Sequence, residues 1–128
     1  LVAQLPPGSA GNVVNLLDQK VGFPLPDYLS YSLTKFGLAN ATAMLARELA
    51  PQVRVNAIAP GLTLPSGTQT EAEFRDAHAR TPLARGNQLE DLVAALRYLL
   101  DAPAVSGQTL FVDGGQHLRP AADPTLEG

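Results

Sequence analysis

The feature that most constrains this chain is a spacing: three short apolar runs lie far apart, and helix-period segments fill the gaps between them. The runs are NVVNLL (12–17), VRVNAIA (53–59) and the start of QTLFVDGG (108–115), each with the length and β-branched character of a strand. Their near-continuous apolar character predicts burial on both faces, the habit of a parallel sheet covered by helices on each side. After the loop QKVGFPLP, residues 27–50 read as one helix. Asp27 is its expected N-cap, Leu29, Leu33, Phe36, Met44, Leu45 and Leu49 recur at three- and four-residue steps, and Pro51 stops it. In the second gap, Thr70 and Glu73 have capping-box spacing before a short surface helix ended by Pro82. Leu92, Val93, Leu96, Leu99 and Leu100 then mark an amphipathic helix over 90–101. Strand, helix, strand, helix, strand is the alternation of an α/β fold with right-handed crossovers.

Three parallel strands leave the apolar first run at a sheet edge with unpaired N–H and C=O groups, which demands a partner. The first residue is Leu1, with no initiator Met and no charged region or cleavage pattern of a signal peptide. The expectation is that a further part of the same domain precedes it. Residues 1–118 are expected to form the C-terminal part of one domain, and the polar, proline-bearing tail 119–128 to fray.

With 45% hydrophobic residues in 128, the chain can bury a core. Nine basic and twelve acidic residues give a net charge of −3 without a basic run, which argues against nucleic acid as a partner. There is no cysteine, so disulfides and thiolate metal sites are excluded, in keeping with a cytoplasmic location. No apolar run approaches the roughly 20 residues of a membrane span.

In open α/β sheets the ligand crevice lies outside the carboxyl ends of the strands. Asp18 follows the first run and Pro60-Gly61 the second, and the long helix brings Tyr31 and Lys35 to the same region on one face. A phenol, with a pKa near ~10, is a poor acid at neutral pH, and a nearby fixed cation is expected to move it toward the working range. Asp18 can share the proton or accept N–H bonds from an amino-heterocycle. The plain alternatives are an ordinary Tyr–Lys pair on a helix surface and an aspartate in a turn. His78 and His117 lack partners at metal spacing and read as surface or packing residues, and Asn56 as a satisfier of local backbone groups. Asp113-Gly114-Gly115 reads as a turn. Gly37, Ala39, Ala41 and Ala43 allow close packing, against another subunit or against the sheet.

YSLTK (31–35), RVNAIAPG (54–61) and SGQTLFVDGG (106–115), in this order and spacing, resemble the C-terminal half of the short-chain dehydrogenase/reductase family over residues 10–118. The resemblance implies a Rossmann-type doubly wound sheet and a nicotinamide dinucleotide. It makes Tyr31 the proton donor, with Lys35 holding the ribose and tuning the tyrosine, while Pro60, Gly61, Leu62 and Thr63 border the nicotinamide and pyrophosphate. Family members often assemble as homotetramers, and Asp113-Gly114-Gly115 lies in a region they often use for subunit contact. Thirteen residues before the tyrosine, where most members carry a serine, stands Asp18. That departure, with NLLDQ and APQVRVNAIAPGL, is similar to the pteridine and dihydromonapterin reductases, in which aspartate and tyrosine act together on a pterin with NADPH. Leu25, Leu62 and Leu64 are then the expected apolar walls for a flat ring. The family's glycine-rich phosphate loop is absent from the chain, so dinucleotide binding is expected to need the N-terminal half. Three functions stay open: a pterin reductase, a carbonyl or 3-oxoacyl-thioester reductase, and a non-catalytic assembly module.

Overall fold

The structure is a computed structural model and describes residues 2–118. The expected polar tail lies outside the described residues. Strands β1 (Gly11–Leu16), β2 (Val53–Pro60) and β3 (Thr109–Val112) form one parallel sheet in the order β1-β2-β3. Helices α1 (Leu29–Glu48), α2 (Glu71–Ala79) and α3 (Leu89–Asp101) fill the connections, with 3-10 turns at Val2–Gln4, Gln19–Gly22 and Gln116–Leu118.

β2 is the strand around which the rest is arranged. It pairs on both sides, and from Val53 to Ala59 all but Arg54 are buried. Its odd positions face α1: Val53 and Val55 pack with Ala46, and Ala57 and Ala59 with Leu17, Leu38 and Ala39. Among its even positions, Arg54 and Asn56 reach the end of α3 and the loop beyond it. Arg54 donates to the carbonyls of Leu99 (2.9 Å), Leu100 (3.0 Å) and Val105 (2.9 Å). Helix α3 has no basic residue in its own last turn, so the cation that answers its unpaired carbonyls comes from the sheet. Asn56, fully buried, donates to Val105 O (2.9 Å) and accepts from Gln108 N (3.0 Å), which is the backbone role expected of it.

Boundaries differ from expectation for local reasons. β1 spans 11–16 rather than 12–17, because Leu17 turns inward and is buried as the chain leaves the sheet. Asp27 does not cap α1. The N-cap is Tyr28, in the left-handed region at φ 49°, and the Asp27 carboxylate is taken by Lys20 at 2.6 Å. A second difference concerns the apolar stripe of α1. Leu29, Leu33 and Met44 are more than 60% exposed, while Ser32, Thr42 and Ala46 are the buried residues of this helix. Close approach to the sheet selects small side chains, and the polar ones find partners: Ser32 Oγ donates to Asp27 O, and Asn15 donates to Thr42 Oγ1. Within the Gly/Ala set, Ala39 packs against the sheet cluster and Gly37 faces open space. The Thr70–Glu73 capping box forms as expected.

Asn56→Ala removes the partner of one buried N–H and one of two donors to Val105 O. It is expected to cost the protein about 2 kcal/mol, read as a lower urea midpoint with unchanged m-value.

Candidate active site

The register aligns Leu16 with Ile58 and Pro60 with Val112, so β1, β2 and β3 all end at one side of the molecule. Three loops start there, carrying Asp18, Gly61 and Asp113. Gly61 is required by this convergence, since a Cβ on it would stand 2.8 Å from Asp113 Cα. The turn after β3 is carried by Gly114 and Gly115, both at positive φ, and Asp113 accepts from Gly115 N at 2.9 Å.

Asp18 sits in extended backbone and caps the 3-10 turn at Gln19–Gly22, its Oδ1 accepting from Lys20 N at 2.9 Å. That bond leaves Oδ2 free to meet α1, where it accepts from the Tyr31 hydroxyl at 2.8 Å. Tyr31 lies in the first turn of α1 and is 44% exposed, so the pair is open to a ligand on one side. Lys35, one turn later on the same face, donates to Leu16 O at 3.0 Å, and its ammonium is 5.6 Å from the Tyr31 ring centroid. The structure therefore brings Asp18, Tyr31 and Lys35 together at the end of β1, as expected. A second tie steadies the loop carrying Asp18: Lys20 pairs with Asp27 and lies 4.7 Å from the Tyr28 ring centroid.

The expected acidification of Tyr31 is not found. Its pKa is pushed up from the ordinary 10.0 to about 12, first by partial burial, then by donation to Asp18 and by that carboxylate's charge. Lys35 gives one N–H to the Leu16 carbonyl and lies 5.6 Å from the Tyr31 ring centroid, whereas the Asp18 carboxylate bonds the phenol directly. The pair as it stands holds a proton firmly.

Pro60 ends β2, and Gly61, Leu62 and Thr63 follow it, half-buried. Leu25 and Leu64 are exposed on separate loops, 37% and 61%, and present apolar surface to solvent. Two residues read as packing prove more specific. His78 packs tilted against Phe74 and its Nε2 lies 2.7 Å from Leu62 O; His117 stacks on Phe111 and pairs with buried Asp113 at 2.8 Å. Asn87, absent from the sequence reading, donates to Thr63 Oγ1 at 2.6 Å. No motif marks these partners, because they lie 16 and 24 residues apart in the chain. Among the described residues no cluster of three metal-ligating side chains occurs, and no helix is long and apolar enough to cross a membrane.

The residues present fit the nicotinamide end of a dinucleotide: an ammonium and a phenol on one helix face beside a loop held close by glycine. Tyr31 should ionise near pH 12 in a spectrophotometric titration. Its raised value contributes stability that is present below pH 10 and lost as pH rises through 12, because the folded state keeps the proton longer. Asp18→Asn removes the carboxylate charge and is expected to bring that titration part of the way back toward 10, the share due to burial remaining.

A family model described as enoyl-(acyl carrier protein) reductase matches residues 2–117. Dihydromonapterin reductase of Citrobacter koseri is 35% identical over 112 residues, covering 87% of this chain and 46% of that protein. A protein of the Streptomyces violaceoruber granaticin polyketide synthase, assigned as its ketoacyl reductase 2, is 38% identical over 84% of this chain and 45% of its own length. The crystal structure of FolM alternative dihydrofolate reductase 1 from Brucella canis, complexed with NADP, superposes with a TM-score of 0.90 at 41% identity, covering 96% of this chain and 49% of that one. The chain spans about half the length of the relatives it matches. Three parallel strands with flanking helices are thus part of a Rossmann-type sheet, and the chain belongs to the short-chain dehydrogenase/reductase family, with similarity to its pteridine reductase-like branch.

Proposed function

We propose that the complete protein reduces a pterin or dihydropterin with NADPH. The observation that carries this reading is the hydrogen bond between the Asp18 carboxylate and the Tyr31 phenol, 2.8 Å long, at the open end of β1. Reduction of a ring C=N requires hydride at carbon and a proton at nitrogen, and a carboxylate beside a phenol suits an N–H-rich ring better than a hydroxyl would. NADPH supplies the hydride when bound. Likeness to dihydromonapterin reductase and to an NADP complex supports the substrate class and the cofactor.

On this reading Asp18 Oδ2 accepts an N–H of the heterocycle, and the phenol so released turns its proton toward the ring nitrogen. Losing the bond to Asp18 takes away one of the causes that hold the Tyr31 pKa up, which favours release of its proton. Lys35, a short distance along the helix face, offsets the phenolate charge left after transfer and holds the nicotinamide ribose. Pro60, Gly61, Leu62 and Thr63 border the nicotinamide and pyrophosphate. Leu25, Leu62 and Leu64 offer apolar contact to the faces of the flat ring. Family resemblance adds a homotetramer and a cytoplasmic location. A second reading, reduction of a 3-oxoacyl thioester, is favoured by the 38% identity to the ketoacyl reductase relative.

The test is the complete protein assayed for NADPH oxidation with dihydropterin and with oxoacyl substrates. Tyr31→Phe is expected to lower kcat by roughly 100-fold or more on either substrate. Asp18→Ser is expected to lower pterin turnover selectively; unchanged pterin turnover in that variant sinks the role given to Asp18.

A further inference from the structure

The excursion from the end of β2 to the start of α3 closes back on its own beginning at two points. His78 on α2 is one. Its Nε2 lies 2.7 Å from the carbonyl oxygen of Leu62, and since a carbonyl only accepts, the ring carries its proton on Nε2 and donates. The imidazole is held between two walls. Phe74, one helical turn earlier, packs against it with ring centroids 4.1 Å apart and planes tilted by 48°, and the backbone of Gly86 comes so close that a Cβ there would overlap the ring. Asn87 is the second point. It is buried, its Nδ2 donates to Thr63 Oγ1 at 2.6 Å, and that hydroxyl donates in turn to Gly61 O at 3.0 Å.

Asn87 is a poor choice for stability alone. Its Oδ1 is buried and has no partner among the described residues, an arrangement that costs free energy which an apolar side chain would not. What the asparagine contributes is the bond to Thr63. His78 and Asn87 thus hold the carbonyl of Leu62 and the hydroxyl of Thr63, and Gly86 leaves the room that the imidazole occupies.

We propose that His78 and Asn87 are positioning residues that hold Leu62–Thr63 in the conformation that receives the nicotinamide end of the cofactor, with Gly86 kept small to admit the imidazole. This rests on the reading that Pro60–Thr63 border NADPH. The clasp acts through Leu62 and Thr63, and neither residue needs to touch the ligand.

The experiment uses the complete protein and two readouts, amide hydrogen exchange at 61–64 without ligand and NADPH affinity by fluorescence. His78→Phe keeps an aromatic ring against Phe74 and loses the donor, His78→Gln keeps a donor, Gly86→Ala displaces the ring, and Asn87→Ala removes the other bond. The expected result is faster exchange at 61–64 and about tenfold weaker NADPH binding in His78→Phe, Gly86→Ala and Asn87→Ala, the loss of roughly one hydrogen bond. His78→Gln is expected to stay near wild type, and exchange within α3 to stay unchanged in all four. Should Asn87→Ala fail to fold, Thr63→Val breaks the same bond from its other end. Unchanged exchange at 61–64, or faster exchange with unchanged NADPH affinity, overturns the proposal. Wild-type binding is read first: a wild-type protein that binds no NADPH overturns the cofactor reading itself, and this role with it.

Discussion

Everything in the molecule depends on β2 being paired on both edges and covered on both faces. A strand so placed must satisfy its backbone groups in the sheet or on adjoining segments, as Val55 N does on Ser106 Oγ, and bring only those polar side chains that have a task inside. Arg54 and Asn56 are those side chains, and both spend their donors on the carbonyls where α3 ends and the next loop begins. The effect is to lock one helix end to the central strand, which sets where β3 begins and hence where its loop stands beside Gly61. The opposite face carries a polar tie of its own, Asn15 of β1 donating to Thr42 Oγ1 of α1. There, small residues of α1 let the helix lie close to the sheet, and that closeness puts Tyr31 and Lys35 over the end of β1.

The site shows a tension between holding a proton and giving it away. Burial and the Asp18 carboxylate both keep Tyr31 protonated, and Lys35 is turned to a backbone carbonyl. A phenol in that state is a reservoir. On the proposed function it becomes a donor when a ligand with N–H groups competes for the carboxylate, and the chemistry of the ligand would then govern when the proton is released. Asp18 is well placed for such an exchange because its other oxygen is bound to the backbone of Lys20, which fixes the carboxylate while Oδ2 changes partner.

The residues differ in how plainly their roles could be read beforehand. The Thr70–Glu73 capping box needs only local spacing and was legible without coordinates. So was Asn56, since a polar residue in a buried strand has few options. The cap of α1 was not: Asp27 has the right side chain at the right place, and a lysine seven residues earlier in the chain takes it. The apolar stripe of α1 gave the helix but not its buried face, because periodicity marks helical spacing, and close packing on a sheet rewards small volume over hydrophobicity.

By itself the sequence determined the order of elements and the parallel sheet, since these follow from local period and from spacing along the chain, while family resemblance is what set Asp18, Tyr31 and Lys35 apart from a helix-surface pair and a turn residue. Only the tertiary structure decided which atoms bond. It turned Lys35 to Leu16, raised rather than lowered the pKa of Tyr31, and brought His78 and Asn87 onto Leu62 and Thr63. Proton affinity and hydrogen-bond choice depend on distances of a few ångströms between residues far apart in the chain, and spacing in a sequence carries no such distances.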